Sequence, residues 1–187
     1  MSNEKTKRIV GLGILTAVVV VLQLLGSFIK IGPVSITLVL VPIIVGAAVY
    51  GPSAGAYLGG VFAVVVLVQP DTAAFHQVSV FGTVATVMLK GILCGWAGGL
   101  VYRAVSKKNV WLGIILAAIV TPVVNSGLFF LGCRLFFWHL LTDWGKGEAL
   151  KYLVTVMIGV NFLGELGIDL VCCPIILRIL KAIQKAN

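Results

Sequence analysis

The chain is short of charge. Only 11% of its 187 residues are Asp, Glu, Lys or Arg, and just six of those are acidic. Soluble domains carry about a quarter charged residues, so a water-soluble globular domain is excluded as the first reading. Histidine is scarcer still, with two residues, His76 and His139, in different loops and without a third ligand at metal spacing. No glycine-rich phosphate loop, no Ser-His-Asp order and no HExxH pattern is present, which leaves enzymatic chemistry without a nucleophile or metal and predicts no cofactor. The four cysteines (Cys94, Cys133, Cys172, Cys173) all lie in apolar runs, where free cysteine behaves as a small core residue.

What is abundant is apolar sequence. Hydrophobic residues make up 60% of the chain. A spanning helix takes about 20 of them, so the length holds roughly six spans and no separate soluble domain. The expected fold is an all-α membrane protein, one domain over residues 1–187, with six transmembrane helices at about 8–29, 35–50, 52–68, 78–102, 110–137 and 152–177. The stretch following the N-terminal Lys-Thr-Lys-Arg is too long for a signal-peptide core and reads as the first span. The second and third segments are short, each about 24 Å at 1.5 Å per residue. They meet at Tyr50-Gly51-Pro52.

The formal net charge of +8 points to topology rather than to nucleic acid. With the N-terminus inside, nine basic residues (Lys5, Lys7, Arg8, Arg103, Lys107, Lys108, Arg178, Lys181, Lys185) fall on the cytoplasmic side. Four (Lys30, Arg134, Lys146, Lys151) fall outside. Both termini are therefore expected in the cytoplasm.

Ionisable side chains at membrane depth are costly and mark function by default. Lys90 interrupts the fourth segment, and Glu165 and Asp169 interrupt the sixth. Asn161, Glu165 and Asp169 stand at i, i+4 and i+8, on one helical face that must turn away from lipid. Two readings of Lys90 and Glu165 stand side by side: a buried ion pair, or groups that touch a polar ligand. Asn125 follows Thr121-Pro122 in the fifth segment and suits either a cavity wall or a hydrogen bond between helices. Arg134 near the outer end of that segment either snorkels to headgroups or holds an anion. Gly13 and Ala17 form a small-xxx-small pair that permits close helix approach, within the chain or with a partner.

The order of these pieces resembles a known family. Pro42-Ile43-Ile44-Val45-Gly46 leads into Gly51-Pro52-x-Ala54-Gly55-x-x-x-Gly59, then Leu89-Lys90-Gly91, then Pro122-Val123-Val124-Asn125-Ser126-Gly127. Together they resemble the substrate-binding S components of energy-coupling factor (ECF) transporters over essentially the whole chain. The resemblance implies a high-affinity binding subunit in a prokaryotic plasma membrane. Such a subunit captures a vitamin or related micronutrient from outside and works with a scaffold membrane subunit and two ATPase subunits. It also implies that small residues of the first helix dock on the scaffold, here Gly13 and Ala17, although the family more often has Ala at both. Pockets of the family lie in the outer half of the bundle, which points to Lys90, Asn125, Arg134, Asn161 and Glu165 as ligand-binding residues, with Asp169 too deep and Phe75 and Trp138 as candidate covers. Cations and amides together favour a carboxylate-bearing vitamin such as pantothenate. The competing function is a stand-alone proton-coupled transporter or channel, which draws on the Glu165–Asp169 stripe.

Overall fold

The computed structural model describes the backbone of residues 2–28, 30–31, 34–35 and 37–186, and their side chains except at 2–3, 30–31, 34–35, 157–158, 160 and 184–186. The Gly32-Pro33 break and the side chains of Lys30 and Lys185 lie outside the described residues. The architecture is all-α. Helix α1 (Ser2–Gly26) is followed by a two-residue antiparallel pairing of β1 (Lys30–Ile31) with β2 (Val34–Ser35). Then come α2 (Leu40–Tyr50), α3 (Pro52–Leu67), a 3₁₀ turn (Pro70–Thr72), α4 (Ala73–Val78), α5 (Val80–Val105) and α6 (Val110–Phe136). The chain ends with α7 (Trp138–Trp144), α8 (Ala149–Tyr152), a π-helical stretch (Leu153–Gly159) and α9 (Val160–Ala186).

The helix boundaries follow local chemistry. Gly51 takes φ 95°, a left-handed value that glycine adopts without penalty, and Pro52 opens α3 where its missing N–H costs nothing. The Ser79 side chain caps α5 by accepting from the Gly82 N–H at 3.0 Å, and Asn109 caps α6 by accepting from Leu112 at 3.1 Å. The expected second segment starts late. Val34 and Ser35 belong to the β pairing, Thr37–Val39 are irregular, and α2 has only 11 residues. At 1.5 Å per residue that is about 16 Å, half of a hydrocarbon core. The expected loops at 69–77 and 138–151 contain short helices of their own.

Among the described residues, three helices are long and apolar enough to cross a membrane: Glu4–Gly26, Val80–Val105 and Val110–Phe136. A fourth is added if Pro52–Leu67 and Pro70–Val78, which meet at 74°, count as one bent span. The burial pattern is that of a protein in lipid. Ile9, Phe28, Phe81, Leu135 and Val171 are exposed, whereas Gln23, Asn125, Asn161, Glu165 and Asp169 are buried.

Helix α5 sits between α3 and α6. Its contact with α3 is a backbone seam. A Cβ placed on Gly55 would strike the carbonyl of Gly95, and one on Gly95 would strike that of Gly55. Gly59 and Gly91 stand in the same reciprocal relation one turn away. Only hydrogen at these four positions lets the helices approach so closely. The seam fixes the face of α5 that lies against α3, and so aims the rest of the helix. Two further clusters flank it. Ile44, Ile114, Ala117, Ala118 and Ile176 join α2, α6 and α9. Phe75, Cys133, Phe137, Leu141 and Leu153 join α4, α6 and the segments after it.

Candidate functional site

Thr83, Thr86, Val87 and Lys90 stand at i, i+3, i+4 and i+7 of α5 and share one face. That face lines a cavity completed by Gln23 of α1, Thr37, Phe62 and Val66 of α3, Gln69, Asp71 and Thr72, Phe75 of α4, Phe129 of α6, and Phe137 between α6 and α7. The cavity therefore gathers residues from five helices and three connecting segments. It encloses about 50 Å³ of free space.

One wall is a pair of amides. Gln23 donates from Nε2 to Oε1 of Gln69 at 2.9 Å, and Gln69 donates from Nε2 to the Gln23 carbonyl at 3.1 Å. Both side chains are buried, and Gln23 Oε1 is left without a partner. Thr72 steadies the neighbouring turn by donating to the carbonyl of Gln69 at 2.8 Å. Across the cavity, the buried Thr86 hydroxyl also has no partner. Unsatisfied buried acceptors and hydroxyls cost free energy, about 1–3 kcal/mol each, and call for a polar partner in the space they face.

The cation is held by aromatic faces rather than by a carboxylate. Lys90 Nζ lies 5.0 Å from the Phe129 ring centroid and 5.6 Å from that of Phe62. Ring faces carry negative potential and attract an ammonium without neutralising it. Lys90 and Glu165 make no direct ion pair; the ion pair found among the described residues is Lys151–Glu148, at the surface. Their charges remain within electrostatic reach of one another. An ammonium in this setting is free to take an anionic oxygen as its own partner.

Phe75 stands in an aromatic cluster at the cavity wall. Its ring meets Phe137 at 5.0 Å, Trp144 at 5.8 Å and Phe129 at 6.1 Å, all edge to face. These aromatics close the cavity on the side of α7.

The residues expected from sequence separate into three groups. Lys90 lines the cavity. Asn125 and Glu165 lie behind it, joined by a hydrogen bond from Asn125 Nδ2 to the Glu165 carboxylate at 3.2 Å. Thr37 is a second hydrogen-bond donor to Glu165 and also lines the cavity, so the buried carboxylate connects to the cavity wall through that threonine. Asn161 is buried on the same face of α9. Arg134 is exposed and stacks over Trp138, 4.4 Å from its ring, away from the cavity lining. Sequence reading missed Gln23, Gln69, Thr83, Thr86, Phe62 and Phe129. The spacing of Thr83 and Thr86 with Lys90 could have found two of them. The amide pair spans 46 positions and leaves no local signal.

Gly13 and Ala17, by contrast, lie on the outside of α1. Both are exposed, and a Cβ on Gly13 would meet nothing within 4 Å.

Compared with protein-family models, residues 7–177 match the ECF transporter, substrate-specific component. The chain belongs to this family. No curated protein and no solved structure matched it. As an S component it is a substrate-binding subunit of an ECF transporter, a membrane protein and not an enzyme.

Proposed function

We propose that this S component captures a small carboxylate-bearing, hydroxyl-rich vitamin of the pantothenate kind. It holds the ligand in the cavity of α1, α3, α4, α5 and α6 and delivers it inward with an ECF scaffold subunit and two ATPase subunits. The observation that carries this reading is Lys90, a cation lining the cavity whose ammonium lies against two aromatic rings and makes no direct ion pair among the described residues. A ligand carboxylate supplies a direct ion-pair partner for it. Ligand hydroxyls and amide groups match Thr83, Thr86 and the Gln23–Gln69 pair, and the phenylalanines take its alkyl carbons. Asn125 and Glu165 act behind this wall by orienting Thr37. Arg134 and Asn161 keep the part expected of them only if the cover rearranges around bound ligand. A vitamin-sized molecule needs a pocket of about 300 Å³ or more, several times the free space present, so the Phe75 cover yields as ligand enters.

The charge bias supports six crossings with both termini in a prokaryotic cytoplasm, α2 and α3 being short crossings shielded by their neighbours. The open stripe of Gly13 and Ala17 supports docking of α1 on the scaffold subunit.

Native mass spectrometry of the chain purified from its own membranes tests the ligand assignment, because a tightly held molecule is weighed directly. The wild-type protein should carry a carboxylate of vitamin size and bind labelled pantothenate. Lys90→Met should bind at least about 100-fold more weakly, a loss of about 2.7 kcal/mol. Unchanged affinity in Lys90→Met, or a co-purified ligand without an acidic group, would overturn the assignment.

A further inference from the structure

We propose that the bundle interior holds one small monovalent cation, a proton or a sodium ion, among Glu165, Asp169 and the side-chain oxygen of Asn125. The two carboxylates lie one turn apart on α9, 3% and 1% exposed. Asn125 reaches Glu165 from α6. Its Nδ2 donates to Glu165, which fixes the other end of the amide, and its Oδ1 has no hydrogen-bond partner. Asp169 Oδ2 has none either. Two unpartnered acceptor oxygens on different helices, one of them Asp169's own, thus belong to residues that flank the Glu165 carboxylate.

Charge balance leads to the same place. The groups facing this cluster are few. Helix α5 contributes Lys90 and Cys94; α9 itself contributes Cys172 and Cys173; α6 contributes Asn125 and, near Lys90, Cys133; and Thr37 precedes α2, whose buried residues include no titratable group. Lys90 bears on Glu165, but Asp169 has Glu165 and neutral thiols around it and no cation. One ammonium against two carboxylates leaves the interior one positive charge short. An uncompensated buried charge is among the most expensive features a fold can carry. Among the described residues no three His, Cys, Asp or Glu side chains converge, so soft transition metals are poorly served. A few hard oxygens suit a proton or an alkali ion.

The proposal does not depend on which vitamin is bound or on the partner subunits, so its failure would leave the S-component reading intact. The test uses the full chain in nanodiscs, without added vitamin, followed by tryptophan fluorescence on heating. Sodium is titrated against N-methylglucamine at constant ionic strength, and pH is varied from about 6 to about 9 without sodium. If sodium is the cation, it raises the melting temperature of the wild type by about 5 °C at saturation, and Asp169→Asn abolishes the rise. If a proton is the cation, sodium does nothing, wild-type stability falls as pH rises, and Asp169→Asn flattens that profile. In both cases Asp169→Asn is at least as stable as wild type in alkaline, sodium-free buffer, because the charge that needed compensation is gone. Glu165→Gln provides a second variant with the same expectation for the sodium and pH responses. Identical responses of wild type and both variants, or unfolding of Asp169→Asn under those alkaline conditions, would overturn the proposal.

Discussion

Two stretches of this chain carry the same sequence signature and meet opposite fates. Gly55 and Gly59 on α3, like Gly13 and Ala17 on α1, are small residues four apart. On α3 each glycine is pressed against the backbone of α5, so that a single added carbon strikes a carbonyl of Gly95 or Gly91. On α1 the stripe is open, and nothing lies within 4 Å of a Cβ on Gly13. Two residues away, Gly11 faces inward, where a Cβ would run into the Tyr50 hydroxyl. Spacing alone says that two helices can come close. Only the packing shows which close approach is already made inside the chain and which stripe is left open.

That contrast can be broken most severely at Gly59. Gly59→Leu forces α3 from α5 by backbone overlap that no rotamer change relieves. It should cost more than about 4 kcal/mol and leave little monodisperse protein on size-exclusion chromatography. If Gly59→Leu melts like wild type, the seam is not as tight as described. The same kind of enlargement at the open stripe should do the reverse. Gly13→Trp should fold, keep its melting temperature within about 2 °C, the range of a surface substitution, and retain ligand, yet fail to co-purify with the scaffold subunit. Normal assembly in that variant would remove α1 from the interface. The smallest effect is expected from Gly13→Ala, which adds helix propensity worth up to about 1 kcal/mol without closing the stripe. It should be slightly more stable than wild type and assemble normally, whereas a fall in melting temperature would mean that the position is packed after all.

The helices themselves were legible because long apolar runs have few alternatives in a chain this poor in charge. Lys90 was legible for the same reason: a lone cation far inside an apolar segment must be answered by something. Its surroundings were not. Phe62 and Phe129 look in sequence like any lipid-facing aromatics, and they become cation-holding faces only after the α3–α5 seam sets the rotation of α5. The Asn125–Glu165 bond spans 40 positions, and the Gln23–Gln69 pair 46. Contacts at such separation follow from helix packing and have no imprint on local periodicity. The start of α2 was misjudged because Val34–Val39 is as apolar as a helix, while its backbone is committed to the β pairing and to bringing Thr37 toward Glu165.

Helix α1 carries the open stripe at its middle and Gln23 near its C-terminal end, Gly13 and Gln23 being ten residues or about 15 Å apart along a single unbroken rod. A tilt of about 10° pivoting at Gly13 would carry Gln23 sideways by about 2.6 Å, more than a hydrogen bond tolerates. The amide pair with Gln69 would part, and with it one wall of the cavity. Any partner that gripped α1 at the stripe would thus hold a crowbar whose tip is already wedged in the cavity wall.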